Sequence, residues 1–131
     1  MVKQKSMRNF LLILLTSLFF VSCKGQETEH FKILDSAQYQ EVISKNQVII
    51  IDVRTPGEYK EGHIKNAQNI NVQANDFREK MQYFDKEKPI YIYCRSGARS
   101  GKAGKILEEM GFVEIYDLNG GILSWKGELE K

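Results

Sequence analysis

From Phe31 onward, short apolar runs typical of β-strands alternate with segments whose apolar residues recur at helical spacing. The run VIIIDV, residues 48–53, is apolar until Asp52, which is the pattern of a strand buried on both faces of a parallel sheet. The runs IYIYC and VEIYDL, residues 90–94 and 113–118, have the same character. Shorter strands are predicted at residues 31–34 and 69–72.

Helices are predicted between these strands from capping residues and apolar spacing. Asp35 or Ser36 suits the N-cap of the first helix, and Pro56 suits the first position of the second. Further helices are predicted over 76–83, over 100–110 with Gly111 ending the helix, and over 121–129. This order predicts an α/β domain of three layers, in which helices flank a mainly parallel central sheet. Sites in such sheets lie beyond the carboxyl ends of strands, and Cys94 stands at one such end.

The beginning of the chain has a different pattern. Lys3, Lys5 and Arg8 precede the apolar run 10–22, which is short for a spanning helix and typical of an export signal. The run ends in FVSC, which resembles the lipobox of bacterial lipoproteins, although that family prefers leucine at the position of Phe20. We therefore expect a signal peptide at 1–22, lipidation of Cys23, a polar tether at 23–30 and one domain at 31–131. The alternatives are ordinary signal cleavage nearby and an uncleaved anchor.

Lipidation would attach the protein to a membrane of the bacterial cell envelope, facing the periplasm or the exterior. The formal charge of +2 counts 19 Lys and Arg against 17 Asp and Glu. Three of the basic residues and none of the acidic ones precede Cys23, so the rest of the chain has 16 against 17, a net charge of −1. This net charge does not imply a basic surface for nucleic acid, so no nucleic-acid partner is expected. We expect a monomer, with no cofactor.

If Cys23 carries lipid, Cys94 is the one thiol left, and it is flagged as a reactive group. The loop after it contains Gly97, which permits positive φ, and leads into a predicted helix whose N-terminal dipole faces the loop. Arg95 and Arg99 add full positive charges. All three effects favour thiolate over thiol, so the loop is suited to a nucleophile and to the anion formed from it. The alternative is a small buried cysteine with solvated arginines.

The spacing within the loop bears on which anion it holds. Cysteine-based phosphatases have five residues between cysteine and arginine and usually a histidine before the cysteine. Here four residues separate Cys94 from Arg99, and Tyr93 precedes the cysteine. The tighter loop suits the terminal sulfur of a persulfide better than a phosphate. No loop residue is an obvious general acid, although folding can bring Asp76 or Asp117 near.

YCRSGARS resembles the active-site loop of single-domain rhodaneses. IIIDVRTPGEYKEGHIKNAQNINV and LNGGILSWKGE resemble two further motifs of that family, in the same order. The resemblance implies a sulfurtransferase in which Cys94 takes sulfur from a donor such as thiosulfate and passes it to a thiol or protein acceptor. The residues implied to bind the anionic sulfur and its donor are Arg95, Ser96, Gly97, Ala98, Arg99 and Ser100. A binding module of the same fold without turnover is the alternative, and a phosphatase is a weaker one.

Asp52, Arg54, Glu58 and His63 also match positions of the family. We expect structural roles for them: an ion pair between Arg54 and Glu58 that fixes the turn after the strand, and a hydrogen bond from His63 that fixes a loop. No group of His, Cys and carboxylates has metal-ligand spacing, so no metal is predicted.

Overall fold

The computed structural model describes residues 27–131. The predicted signal peptide and the lipidated Cys23 lie outside these residues. The main sheet has five parallel strands in the order β1, β6, β5, β2, β4. Its strands are β1 (Phe31–Leu34), β2 (Ile49–Asp52), β4 (Gln68–Asn69), β5 (Ile90–Tyr93) and β6 (Ile115–Leu118). A second, antiparallel pair joins β3 (His63–Ile64) to β7 (Leu129–Glu130).

The helices are α1 (Ser36–Lys45), α2 (Pro56–Glu61), α3 (Phe77–Met81), α4 (Ala98–Glu109) and a closing 3₁₀ helix (Gly121–Ser124). Asp35 caps α1, since its carboxylate accepts from the Gln38 N–H at 2.8 Å while the Gln38 side chain accepts from the Asp35 N–H. Thr55 caps α2 ahead of Pro56. These caps explain why both helices begin where the sequence predicts.

Apolar side chains pack on both faces of the sheet, which confirms the predicted fold. On one face, Ile92 and Cys94 pack with residues of α3 and α4 such as Met81 and Leu107. On the other face, Tyr91 and Tyr93 pack against Tyr39 of α1. Because β5 lies between β6 and β2 in the sheet, it has a neighbouring strand on each side.

Two elements differ from the prediction. The expected helix over 121–129 is wrong: only a 3₁₀ helix forms, and Leu129–Glu130 pairs with His63–Ile64 as strand β7. Gly120 and Gly121 have φ of 74° and 62°, in the left-handed region, so the chain turns sharply there instead of entering an α-helix. The strand expected over 69–72 is shorter and shifted to Gln68–Asn69.

Residues 27–30, placed by the sequence in the tether, lie against the domain. Thr28 donates to Glu108 at 2.8 Å, and a ring nitrogen of His30 lies 3.0 Å from the Val113 carbonyl oxygen. Across residues 27–131, none of the helices is long and apolar enough to cross a membrane.

Candidate active site

The loop between β5 and α4 surrounds the Cys94 side chain. Cys94 follows the last residue of β5 and is buried, whereas Arg95 and Ser96 are exposed. Gly97 takes φ of 114°, a conformation that residues with a Cβ rarely adopt, and it turns the chain into α4. The loop therefore bends around the cysteine before the helix begins.

Two hydrogen-bond donors point at the sulfur. The Gly97 N–H lies 3.0 Å from Cys94 Sγ, and the Ser100 hydroxyl lies 3.4 Å from it. The N-terminus of α4 adds a partial positive charge at the same place. Donors and dipole together stabilise negative charge on Sγ, as an oxyanion hole does for oxygen.

The 3₁₀ helix holds the loop from behind. The Ile122 N–H donates to the Cys94 carbonyl oxygen at 2.9 Å, and the Leu123 N–H donates to the Arg95 carbonyl oxygen at 3.2 Å. A Cβ on Gly121 would lie 2.6 Å from the Cys94 carbonyl oxygen, so only glycine fits. The sequence analysis missed this role, although the Gly-Gly pair directly after a strand was its signal.

Arg99 of α4 pairs with Glu58 of α2. Its two terminal nitrogens donate to the two carboxylate oxygens of Glu58, each at 2.8 Å. These hydrogen bonds lower the pKa of Glu58 and raise the pKa of Arg99. Arg99 thus fixes the loop against α2, and Arg95 supplies the exposed positive charge.

The predicted ion pair between Arg54 and Glu58 is wrong. Arg54 pairs instead with Asp52, at 2.6 Å from Nη2 to Oδ2, and also donates to the Gly62 carbonyl oxygen at 2.7 Å. Both members of the pair are buried, whereas Glu58 is half-buried on α2, where it pairs with Arg99. The Asp52–Arg54 pair fixes the turn after β2.

His63 is the first residue of β3, two residues after α2 ends. Its Nδ1 lies 2.9 Å from the Tyr59 carbonyl oxygen, and its ring stacks on the Tyr59 ring with 3.7 Å between centroids. Its Nε2 is 3.7 Å from Glu130 of β7. These contacts are those of a residue that holds the α2–β3 connection.

Asp117 on β6 reaches the site from a neighbouring strand. It is 4% exposed, and burial raises the pKa of its carboxyl group to about 7, with the Ser100 hydroxyl and the Leu118 N–H opposing part of that effect. A charged residue inside the apolar run VEIYDL was the sequence signal for it. Within residues 27–131, no group of three or more His, Cys, Asp or Glu side chains is placed to hold a metal ion.

The rhodanese-like domain family matches residues 35–128. The chain belongs to the rhodanese-like domain family. It is 36% identical over 97 residues to a thiosulfate sulfurtransferase, GlpE, of Coxiella burnetii, which covers 73% of this chain and 88% of the relative. A rhodanese-like domain protein from Staphylococcus aureus has a crystal structure that matches with a TM-score of 0.67 at 31% identity, covering 76% of this chain and 96% of that one.

The family includes proteins with other activities. The chain is 39% identical over 101 residues to a tRNA uridine(34) hydroxylase of Acinetobacter baumannii, where the match covers 72% of this chain and 32% of the relative. Membership therefore establishes a rhodanese-like domain, and the reaction that it performs has to be argued from the site.

Proposed function

We propose that the protein is a rhodanese-type sulfurtransferase that carries sulfur as a persulfide on Cys94. The observation that carries the proposal is the 3.0 Å contact between the Gly97 N–H and Cys94 Sγ at the N-terminus of α4. A buried sulfur with N–H and O–H donors aimed at it is arranged to hold negative charge. The likeness to a thiosulfate sulfurtransferase supports thiosulfate as a donor.

The reaction takes place in two steps. The Cys94 thiolate attacks the outer sulfur of thiosulfate, so that a new S–S bond forms, the old one breaks, and sulfite leaves with its electron pair. The terminal sulfur of the persulfide then carries the negative charge, near the loop N–H groups. A thiolate or cyanide attacks this sulfur, breaks its bond to Cys94 and regenerates the thiolate, which is a ping-pong sequence.

Each residue of the loop has its own part in this scheme. Cys94 is the nucleophile, and Gly97 and Ser100 supply donors to its sulfur. Exposed Arg95 attracts the dianionic donor, while Arg99 holds the loop in place through Glu58. In the proposed reaction, the backbone N–H groups of Ser96 and Ala98, on either side of Gly97, would help to stabilise the anionic outer sulfur.

The proposal also includes a location and partners. Lipid on Cys23 would hold the domain at a membrane of the bacterial cell envelope. There the protein would act as a monomer on a small donor of sulfane sulfur. Because Cys94 would be the one thiol of the lipidated chain, the persulfide has no internal resolving cysteine. The acceptor must therefore be another thiol or another protein.

The test is to incubate the full chain with thiosulfate and measure its mass. We expect a gain of one sulfur atom, located by peptide mapping on the peptide that contains Cys94, and loss of that sulfur as thiocyanate when cyanide is added. Cys94→Ser should gain nothing, and Cys23→Ser should gain the same sulfur as the wild type.

Two other outcomes would point elsewhere. A folded protein that binds thiosulfate without sulfur gain, from thiosulfate or other sulfane donors, would contradict transfer chemistry and indicate a binding module. Release of phosphate from an aryl phosphate, lost in Cys94→Ser, would indicate a phosphatase.

A further inference from the structure

A buried carboxyl group lies next to the donor network of the proposed nucleophile. Asp117 is 4% exposed, and among the described residues its Oδ1 has no hydrogen-bond partner. An unpartnered buried carboxylate oxygen is costly, and each such group in a native structure calls for a physical explanation. The mechanism above makes no use of this group.

The register of the sheet places Asp117 on the same face as Cys94. In the parallel pairing of β5 with β6, Asp117 is opposite Ile92. Side chains alternate across a strand, so Cys94, two residues after Ile92, points to the same face one step nearer the carboxyl end. That face is covered by α4, whose buried Ser100 has its hydroxyl 3.4 Å from the sulfur, and the same hydroxyl opposes part of the rise in the pKa of Asp117.

Ser100 has one hydroxyl proton and several acceptors around it. Cys94 Sγ lies 3.4 Å and the Gly97 carbonyl oxygen 3.2 Å from its oxygen, and the Asp117 carboxyl group is a third neighbour. An ionised carboxylate is the strongest acceptor of the three and would draw the proton away from the sulfur. A protonated carboxyl group would instead donate to the hydroxyl oxygen and leave the Ser100 proton free for the sulfur.

We propose that Asp117 is a positioning residue for Cys94: in its protonated form it donates to Ser100, which directs the Ser100 hydroxyl proton onto the cysteine sulfur. Loss of the Asp117 proton reverses the direction of the Ser100 hydrogen bond. The sulfur then loses one of its two donors and gains a negative charge nearby. The proposal concerns the cysteine of the proposed sulfurtransferase and rests on that function for its biological meaning, but the hydrogen-bond switch itself does not require sulfur transfer.

The surroundings allow the switch to operate near neutral pH. Burial raises the pKa of Asp117 to about 7. The residue lines a cavity of about 580 Å³ beside β1 and α4, so its proton can exchange with water. The titratable groups around it are Tyr39 of α1, Cys94 directly after β5, and Lys102, Lys105 and Glu108 of α4, whereas β1 contributes only apolar side chains to that cavity.

The test is the pH dependence of alkylation of Cys94 in the full chain by iodoacetamide, a neutral reagent. Peptide mass spectrometry separates Cys94 from Cys23. In the wild type, we expect a second rise in the rate constant, about threefold, as the pH passes about 7. A thiolate that loses a hydrogen-bond donor and gains a nearby negative charge is a stronger nucleophile, and because thiolate nucleophilicity has an exponent of only about 0.4–0.5, the gain in rate is a few-fold.

Two variants separate a hydrogen-bond switch at Ser100 from a direct effect of the Asp117 charge. Asp117→Asn keeps the shape and cannot ionise, so the second rise should disappear. In Ser100→Ala, the effect of Asp117→Asn should shrink at least by half, because the hydroxyl that connects the two groups is absent. An Asp117→Asn profile identical to the wild type would overturn the proposal, and so would an undiminished effect in Ser100→Ala, which would indicate charge acting through space.

The wild-type profile is decisive even if a variant does not fold, since no second rise between about pH 6 and 8.5 contradicts the switch centred on the raised pKa of Asp117. The result is independent of the sulfur-gain experiment. A protein that shows the alkylation profile and gains no sulfur would retain the switch and lose the proposed activity.

Discussion

At the scale of single residues, the two arginines of the active-site loop differ in what their charges face. Arg99 is tied to Glu58 through two hydrogen bonds of 2.8 Å, so much of its charge is compensated. Arg95 is exposed and, among residues 27–131, has no ion-pair partner within 4.0 Å. In the proposed reaction, we therefore expect Arg95 to be the residue that attracts the dianionic donor.

Arg95→Ala should raise the KM for thiosulfate about threefold to tenfold with little change in kcat. A flexible exposed charge contributes to attraction of the donor, and that attraction is screened over about 10 Å at 0.1 M salt. The measurement is steady-state kinetics at low and high salt, and the difference from the wild type should shrink at high salt. Lys88→Ala removes an exposed charge just before the amino end of β5 and is the matched control. Equal effects of the two substitutions would contradict a local role for Arg95.

The ion-pair partner of Arg54 could not be predicted from the sequence. Spacing along the chain makes Arg54 and Glu58 plausible partners across the turn after β2, but Asp52 at the end of β2 is the actual partner and is buried with Arg54. Glu58 then meets Arg99, which is 41 positions away in the sequence. Partner choice over such separations depends on the tertiary fold, which spacing alone does not contain.

At the scale of elements, the 3₁₀ helix determines the shape of the active-site loop. It contributes two backbone hydrogen bonds to the loop, and Gly121 packs directly on the loop backbone with φ of 62°. A side chain at this position conflicts with both the conformation and the space available.

Gly121→Ala should lower sulfur transfer at least tenfold and cost about 1–3 kcal/mol in the free energy of unfolding. The added Cβ pushes against the carbonyl oxygens of Cys94 and Arg95, so the donors around Sγ move out of line. Activity and urea denaturation of the same preparation check both parts. Gly57→Ala is the control, because a Cβ there meets nothing within 4 Å. Full activity in folded Gly121→Ala would show that the 3₁₀ helix does not shape the site.

Element prediction succeeded where the pattern was local and failed where it was not. The central strands were found because IIID and IYIY are apolar runs buried on both faces, and α1 and α2 because their caps are adjacent in sequence. Ile122 and Trp125 have helical spacing, which predicts a helix in the closing segment. The residues after Trp125 instead become extended, because β7 pairs with β3, which lies far earlier in the chain. The loop, its cysteine and its arginines can all be recognised in the sequence. The proximity of Gly121 and Asp117 to this loop depends on the tertiary fold.

At the scale of the whole molecule, Asp117 couples global stability to pH. Its carboxyl pKa rises from the ordinary 3.8 to about 7 in the folded protein, because burial penalises the charged form. Between these two values the native state holds a proton that the unfolded state has lost. The free energy of unfolding therefore falls as the pH rises through this window and levels off above about 7. Glu58, whose pKa Arg99 lowers, acts in the opposite direction, and its contribution is lost as the pH falls through its own ionisation.

Comparison of the wild type with Asp117→Asn isolates the Asp117 contribution, since Glu58 is the same in both. Near pH 5 the folded wild type still holds the protonated acid, which resembles the amide, so the stability difference between the two proteins is smaller there than at higher pH. Between pH 5 and pH 8 the wild type should lose about 3 kcal/mol of stability relative to Asp117→Asn, from about 1.36 kcal/mol for each pH unit between pH 5 and the folded pKa of about 7. Urea denaturation at the two pH values gives the difference. If the variant changes stability equally at pH 5 and pH 8, Asp117 does not titrate in this range in the folded protein, and the basis for a neutral-pH hydrogen-bond switch at Ser100 is removed as well.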